Sequence, residues 1–406
     1  MVYYSAIRAA ARCALLAVTL TGCGGLGETV IPPPVPARAT STDPFDETIL
    51  HYVDLTVSPA DLGRIVPGGK EYVGADLAFD DEVVTGVGIR IKGHSTLRPV
   101  DDKPSWAIKT NEFVKGQRLK GKKKILLHNC VLDPSFLAEH VSYDLWRRAG
   151  HPARRTGFAR VTLNGRYLGV YVVAEPYDDG FLPANYQNGS GNLYEGAPGV
   201  DFSSYDRLEL STNDDVNDRR DAAALAKIIL QEPDSTFAAG LTSRLDVEGF
   251  LTYWAVEALV GHWDGYAAQN EPPGTPTEGP NNWYAYCDPS TGKFDWLPHS
   301  ADLCLRAPSM PVLAEPDRVA VLAYRSFREP ALRARFEQRI RSILDHSWDT
   351  SSIQARIDAA VAMIHGSVAE GDASRTFSKG GFLPAVAGIR RFILDRPTRV
   401  RSELDH

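Results

Sequence analysis

Hydrophobic periodicity changes once along this chain, and that change limits the folds open to it. Apolar and polar side chains alternate in Tyr52-Val53-Asp54-Leu55-Thr56-Val57 and again over residues 86–92, 105–109, 124–128, 160–163 and 169–175. Alternation with a period of two, broken by Gly, Asp or Pro, predicts strands with one buried face. Asn164-Gly165 joins the last two runs and favours the two-residue turn of a β-hairpin. One helix interrupts the strands. Asp133 reads as its N-cap, Pro134 as its first helical residue, and Phe136, Leu137, Val141 and Leu145 as its apolar stripe, with Gly150 as the stop. After about Asp178 the spacing becomes helical, over 219–230, 247–259, 329–346 and 353–368. In the third of these Leu332, Phe336, Ile340 and Leu344 form one stripe, and the neighbouring arginines lie mostly off it, as on a solvated face. The reading is an α+β chain with a β-rich N-terminal lobe over 45–178 and a mainly helical C-terminal lobe over 179–406.

The chain has 406 residues, 43% of them hydrophobic and 23% charged, enough for one large core or two moderate ones. A net charge of −7 gives no global basic field, which argues against nucleic acid as a partner. The first 22 residues carry Arg8 and Arg12, then an apolar run over 13–20 too short for a permanent membrane span. They read as a signal peptide. Leu20-Thr21-Gly22-Cys23 matches the lipobox of bacterial lipoproteins, which makes Cys23 the expected lipidation site. Residues 23–44, rich in Gly, Pro, Thr and Ser, form the expected tether. The expected location is extracytoplasmic, lipid-anchored to a bacterial membrane of the cell envelope. Cys13 would leave with the signal, so Cys130, Cys287 and Cys304 remain in the folded body. Cys287 and Cys304 flank an expected hairpin over 283–298 and are the candidate disulfide pair.

Five segments carry the chemistry: Ile89-Arg90-Ile91-Lys92-Gly93-His94-Ser95-Thr96; Lys103-Pro104-Ser105-Trp106-Ala107-Ile108-Lys109; Asp133-Pro134-Ser135-Phe136-Leu137 leading to Glu139; Asn164-Gly165 through Gly169-Val170-Tyr171 to Glu175; and His262-Trp263-Asp264-Gly265 with Asn281-Asn282-Trp283-Tyr284. In this order they resemble the CotH family of atypical, protein-kinase-like phosphotransferases. That resemblance implies a two-lobed kinase-like fold that moves the γ-phosphoryl of ATP, with Mg²⁺, to protein serines.

Phosphoryl transfer needs a cradle for phosphates, a lysine held by a glutamate, a carboxylate near the attacking hydroxyl and hard oxygen ligands for Mg²⁺. Lys109 on its strand and Glu139 on the next helix are the expected anchoring pair, with Lys92 and Lys103 as rival phosphate contacts. Gly93, His94 and Ser95 form the expected phosphate turn, and Glu175 is a further cofactor-binding candidate. Asp264, after an apolar helix and His262, is the expected catalytic base. Asn282 and Asp302 are the expected metal ligands, with Asn281 and Asn270 as substitutes for Asn282. Six basic residues within 115–124 offer an attraction for a nucleotide or an anionic headgroup.

The chain departs from the family pattern after the hairpin. Where the family shows Trp-Asp-x-Asp, this sequence reads His299-Ser300-Ala301-Asp302, so Ser300 stands at the position of the usual Asp and Arg306 at that of the usual Gly. An insertion over 271–280 also lengthens the path from Asp264 to Asn282. The alternative reading is therefore a non-catalytic, surface-exposed binding or coat lipoprotein with a protein or surface partner. No His-Glu-x-x-His or Gly-x-Ser-x-Gly motif supports a zinc or serine hydrolase.

Overall fold

Alternation in the N-terminal half produces strands that close on themselves. In the computed structural model, which describes residues 39–267, 279–374 and 381–406, the first elements are β1 (Leu50–Thr56), α1 (Pro59–Leu62), β2 (Val73–Phe79), β3 (Glu82–Lys92), β4 (Ser105–Lys109) and β5 (Lys124–His128). They continue with α2 (Ala138–Arg148), β6 (Thr156–Leu163) and β7 (Arg166–Ala174). The strands form a closed barrel in the order β1-β2-β3-β4-β5-β7-β6, in which β1 runs antiparallel to β2 and parallel to β6. Inward positions such as Leu77, Ile89, Ile91, Trp106, Ile108, Leu127 and Val173 fill it with a dry apolar core. β2 is one strand that periodicity had not singled out. Its sequence Val-Gly-Ala-Asp-Leu-Ala-Phe buries every second residue, but Gly and Ala on the buried and partly buried positions weaken the pattern.

The second half contains α3 (Leu182–Asn185), β8 (Leu193–Glu195), β9 (Glu209–Leu210), α4 (Arg220–Gln231), α5 (Asp234–Leu241), α6 (Val247–Val260), β10 (Trp283–Asp288) and β11 (Lys293–Pro298). It ends with α7 (Val321–Arg328), α8 (Pro330–His346), α9 (Thr350–Ser374) and α10 (Phe382–Leu404). The expected hairpin is β10 and β11, joined by the very short β8 and β9 into a four-stranded sheet ordered β11-β10-β8-β9. Most of α6 is buried on all sides, as a predominantly apolar helix must be. Its Trp254 stacks on Phe336 of α8 with ring centroids 4.0 Å apart. Residues 39–406 form one compact unit of mixed α+β structure.

Several local expectations give way. α2 begins at Ala138 with Leu137 as its N-cap, so Pro134 is not helical and Asp133 is not the N-cap; Asp133 Oδ2 accepts from the Ala138 N–H at 2.8 Å from outside the helix. Phe136, with φ of 61°, breaks the helical path before that point. Cys287 and Cys304, the candidate pair, are both free and buried; the Cys287 thiol meets Asp221 and the Cys304 thiol meets Ser142. Three of the six basic residues within 115–124 are neutralised by ion pairs: Lys120 with Asp81, Lys122 with Glu175 and Lys123 with Asp179. The signal peptide, the lipobox with Cys23, most of the tether, Asn270 and most of the insertion over 271–280 lie outside the described residues.

Candidate functional site

The barrel ladder brings three side chains to one rung. β3 pairs Lys92 with Ser105 and β4 pairs Trp106 with Leu127, so Lys92, Ser105 and His128 fall side by side at one end of the barrel and face away from its core. Glu139, from the first turn of α2, meets them there. Lys92 Nζ lies 2.7 Å from His128 Nε2, and His128 Nδ1 lies 2.5 Å from Glu139 Oε2. Tyr143 OH donates to the other oxygen of Glu139 at 3.1 Å. A lysine ammonium only donates, so Nε2 accepts, and the imidazole is neutral with its proton on Nδ1.

The electrostatics agree with that assignment. Burial pushes the His128 imidazole below the ordinary histidine range, against the pull of Glu139. Burial also lowers the Lys92 amine to about 8, and the Arg154 guanidinium adds to the effect. Burial alone would raise the Glu139 carboxyl, but His128, Arg154 and Lys92 together hold it down at about 2.

The expected Lys109–Glu139 pair does not form. Lys109 Nζ bonds Glu112 at 2.6 Å on the surface and lies over the Tyr72 ring. The physical reason is register: Lys109 pairs with Gly88 and Lys124, at the opposite end of β4 from the rung that faces α2. Lys103 is buried over the Phe136 and Tyr171 rings. Glu175 is also displaced from a cofactor role, since both of its oxygens bond Arg155, at 2.8 and 3.0 Å, and Lys122 lies 3.4 Å away.

Beyond Lys92 the chain turns at Gly93, whose φ is 115° and where a Cβ would collide with Thr96 Oγ1. Gly93, His94, Ser95 and Thr96 then line a cleft of about 580 Å³ together with Lys92, His128 and Glu139. Lys70 and Arg90 add positive charge to it.

The other wall comes from the chain after α6. Gly261, with φ of 63°, ends that helix, and the buried Arg396 of α10 donates to the carbonyls of Ala258, Leu259, Pro308 and Met310. His262, expected beside the site, is fully buried edge-on to Trp146. Glu257 of α6 accepts from the backbone N–H groups of Tyr266 and Ala267, and burial pushes its carboxyl up to about 8. Those bonds fix the turn that carries Asp264 into the cleft.

Asp264 is gripped by two amides: Asn281 Nδ2 donates to Oδ1 at 2.9 Å, and Asn282 Nδ2 donates to Oδ2 and to the Asp264 carbonyl, each at 2.7 Å. The long insertion therefore does not part Asp264 from Asn282. Ser300 and Asp302 line the same cleft. Asn282 and Ser300 have φ of 52° and 44°, as does Cys130 with 54°, so left-handed backbone gathers at this site. His128, Arg154, Glu257 and Glu195 escaped the sequence reading, and His299 is named there only in the segment that departs from the family pattern; of the four, only His128 left a signal, as the polar end of the apolar strand Leu126-Leu127.

The donors present fit a hard divalent cation carried by phosphates. Burial, together with the carboxyls of Glu139, Asp133 and Asp264, pushes the Asp302 carboxyl up to about 8, a concentration of negative charge that a cation would offset. The Asn282 amide oxygen is free of the bonds that its nitrogen makes to Asp264. Among the described residues no three His, Cys, Asp or Glu side chains are grouped to cage an ion by themselves.

Fold and site together define a mixed α+β protein with a polar cleft, lysine-bearing on its barrel side and carboxylate-bearing on the other. The chain belongs to the CotH family: residues 89–400 match the CotH kinase protein domain. It is 26% identical over 174 residues to Invasin CotH2 of Rhizopus delemar, 39% of this chain and 28% of that protein. It is 22% identical over 201 residues to the inner spore coat protein H of Bacillus subtilis, 47% of this chain and 52% of that protein. The chain thus spans at most about half the length of these curated relatives. The crystal structure of the Helicobacter pylori proinflammatory kinase CtkA aligns with 81% of this chain and 94% of that one, at 11% identity and a TM-score of 0.27, too loose a likeness to assign a fold.

Proposed function

We propose that this protein transfers the γ-phosphoryl of ATP to a protein hydroxyl, a serine by family resemblance, in a two-lobed kinase-like manner. The observation that carries the reading is one cleft in which Lys92, linked through His128 to Glu139, faces an Asp264 carboxylate oriented by Asn281 and Asn282. In this reading Lys92 binds phosphate oxygens, and the N–H groups and hydroxyls of the Gly93–Thr96 turn surround them. Asp264 takes the proton as the acceptor oxygen attacks the γ-phosphorus, and the bond from that phosphorus to the bridging oxygen of ADP breaks. Asp302 and the Asn282 amide oxygen would hold Mg²⁺, which supplies charge neutralisation at the phosphates when bound. Lipidation at Cys23 and action outside the cytoplasm belong to the same proposal, in keeping with relatives named as spore coat and invasin proteins.

The test is incubation of the purified protein with γ-labelled ATP and Mg²⁺, alone and with a generic acceptor protein. Transfer that disappears in both Asp264→Asn and Lys92→Ala supports the reading; absence of transfer together with absence of ATP binding refutes it. Ser300 favours a second reading, a non-catalytic binding or coat protein, because a neutral hydroxyl replaces the family's first carboxylate beside Asp302. That reading expects no Mg²⁺-dependent rise in melting temperature with ATP.

A further inference from the structure

Lys92 and Glu139 make no direct ion pair; an imidazole stands between them. His128 is tightly placed on both sides, at 2.7 Å from the lysine and 2.5 Å from the carboxylate. A neutral imidazole with its proton on Nδ1 satisfies both neighbours at once, accepting from the ammonium and donating to the carboxylate. We propose that His128 is a positioning residue for the Lys92 ammonium, coupling the β3 lysine to the α2 carboxylate, and that protonation of its imidazole uncouples them. Once protonated, Nε2 carries a hydrogen and can no longer accept from Lys92, and two cations then face each other across the same gap. Glu139 remains bound to the imidazolium, so the lysine alone is released.

The groups around the imidazole support that order of events. Lys92 approaches from β3 and Glu139 from α2, with Tyr143 OH on the far oxygen of the carboxylate. Arg154, ahead of β6, and His299, beyond β11, also act on this cluster, and Arg154 Nη2 donates to His299 Nδ1 at 3.3 Å. Lys124, at the other end of the strand that carries His128, adds a weaker repulsion on the Lys92 ammonium. The buried Arg154 cation keeps Glu139 ionised when Lys92 turns to a phosphate, and with Lys92 it disfavours a second positive charge on His128. Proton uptake by His128 therefore belongs to the acid side of neutrality, below the range of an ordinary histidine.

The consequence for nucleotide rests on the phosphotransfer reading, whereas the bridge does not. Two variants separate them. His128→Gln can accept from Lys92 through its amide oxygen and donate to Glu139 through its nitrogen, but it does not titrate; His128→Leu fills space and breaks the bridge. With MgATP as the probe in calorimetry, the wild type and His128→Gln should bind alike at neutral pH, and His128→Leu about tenfold more weakly, the scale of one lost charge-assisted hydrogen bond. As the pH falls into the mildly acid range, the wild type should weaken towards His128→Leu while His128→Gln holds its affinity. Equal affinity in all three proteins, or a parallel fall in the wild type and His128→Gln, overturns the proposal. The amine of Lys92 gives a readout without nucleotide: competitive acetylation followed by mass spectrometry should be slow in the wild type and His128→Gln and several-fold faster in His128→Leu. If the wild type binds no ATP at any pH, the phosphotransfer reading fails, and equal labelling of Lys92 in the three proteins then decides against the bridge.

Discussion

Glu257→Gln tests how the Asp264 turn is held, because two opposing effects meet at that carboxyl. Glu257 is buried beside the His262 imidazole, 3.9 Å away and itself held below the ordinary histidine range by burial, which favours the neutral acid, yet its oxygens receive the N–H groups of Tyr266 and Ala267 and, at 3.4 Å, the Tyr253 hydroxyl, which favour the anion. Burial wins and pushes the carboxyl from 4.5 to about 8. The folded protein then keeps a proton that the unfolded chain releases, so the associated stability is complete below about 4.5 and is lost as the pH rises through about 8. At about 1.36 kcal/mol per tenfold change in proton affinity, the whole span is worth up to about 5 kcal/mol, and about 3 kcal/mol of it is gone by neutral pH. Glutamine mimics the protonated acid and cannot ionise. Guanidinium unfolding of both proteins between mildly acid and mildly alkaline pH should show Glu257→Gln weaker at the acid end, by about 1 kcal/mol for an imperfectly matched amide, and stronger at the alkaline end. Parallel stability curves would refute the reasoning and mean that the three donors outweigh burial.

Arg396→Met should lower stability by about 3 kcal/mol in denaturant unfolding, because the carbonyls ending α6 lose their donor while the apolar part of the side chain is kept. Lys92→Ala should abolish MgATP binding in calorimetry, whereas Lys109→Ala, which breaks a surface pair with Glu112 and a contact with the Tyr72 ring, should leave it within about twofold. Ser300→Asp should increase the Mg²⁺-dependent rise in melting temperature with ATP if that position once held metal; an unchanged rise would argue against a decayed site. Gly265→Ala should cost about 2 kcal/mol or more, since the new methyl meets the Glu257 carboxylate, and its unfolding midpoint reads the loss directly.

Local pattern carried a great deal of this protein by itself. Apolar runs with partial alternation in β1 and β3 to β7, the Asn164-Gly165 turn, and the mostly apolar α6 are properties of neighbouring residues, so short-range physics was enough to place them. The five motifs in their order pointed to the CotH family without any geometry. Tertiary structure decided what alternation cannot carry. Lys109 and Lys92 both lie next to strand ends, and only the ladder register determines which of them meets α2. A sequence also has no means of showing that His128 stands between a lysine 36 residues before it and a glutamate 11 residues after it, or that Asn282 reaches Asp264 across a long insertion. Those contacts depend on barrel closure and on the docking of α2 and α6, which are set by the summed packing of residues far apart in the chain.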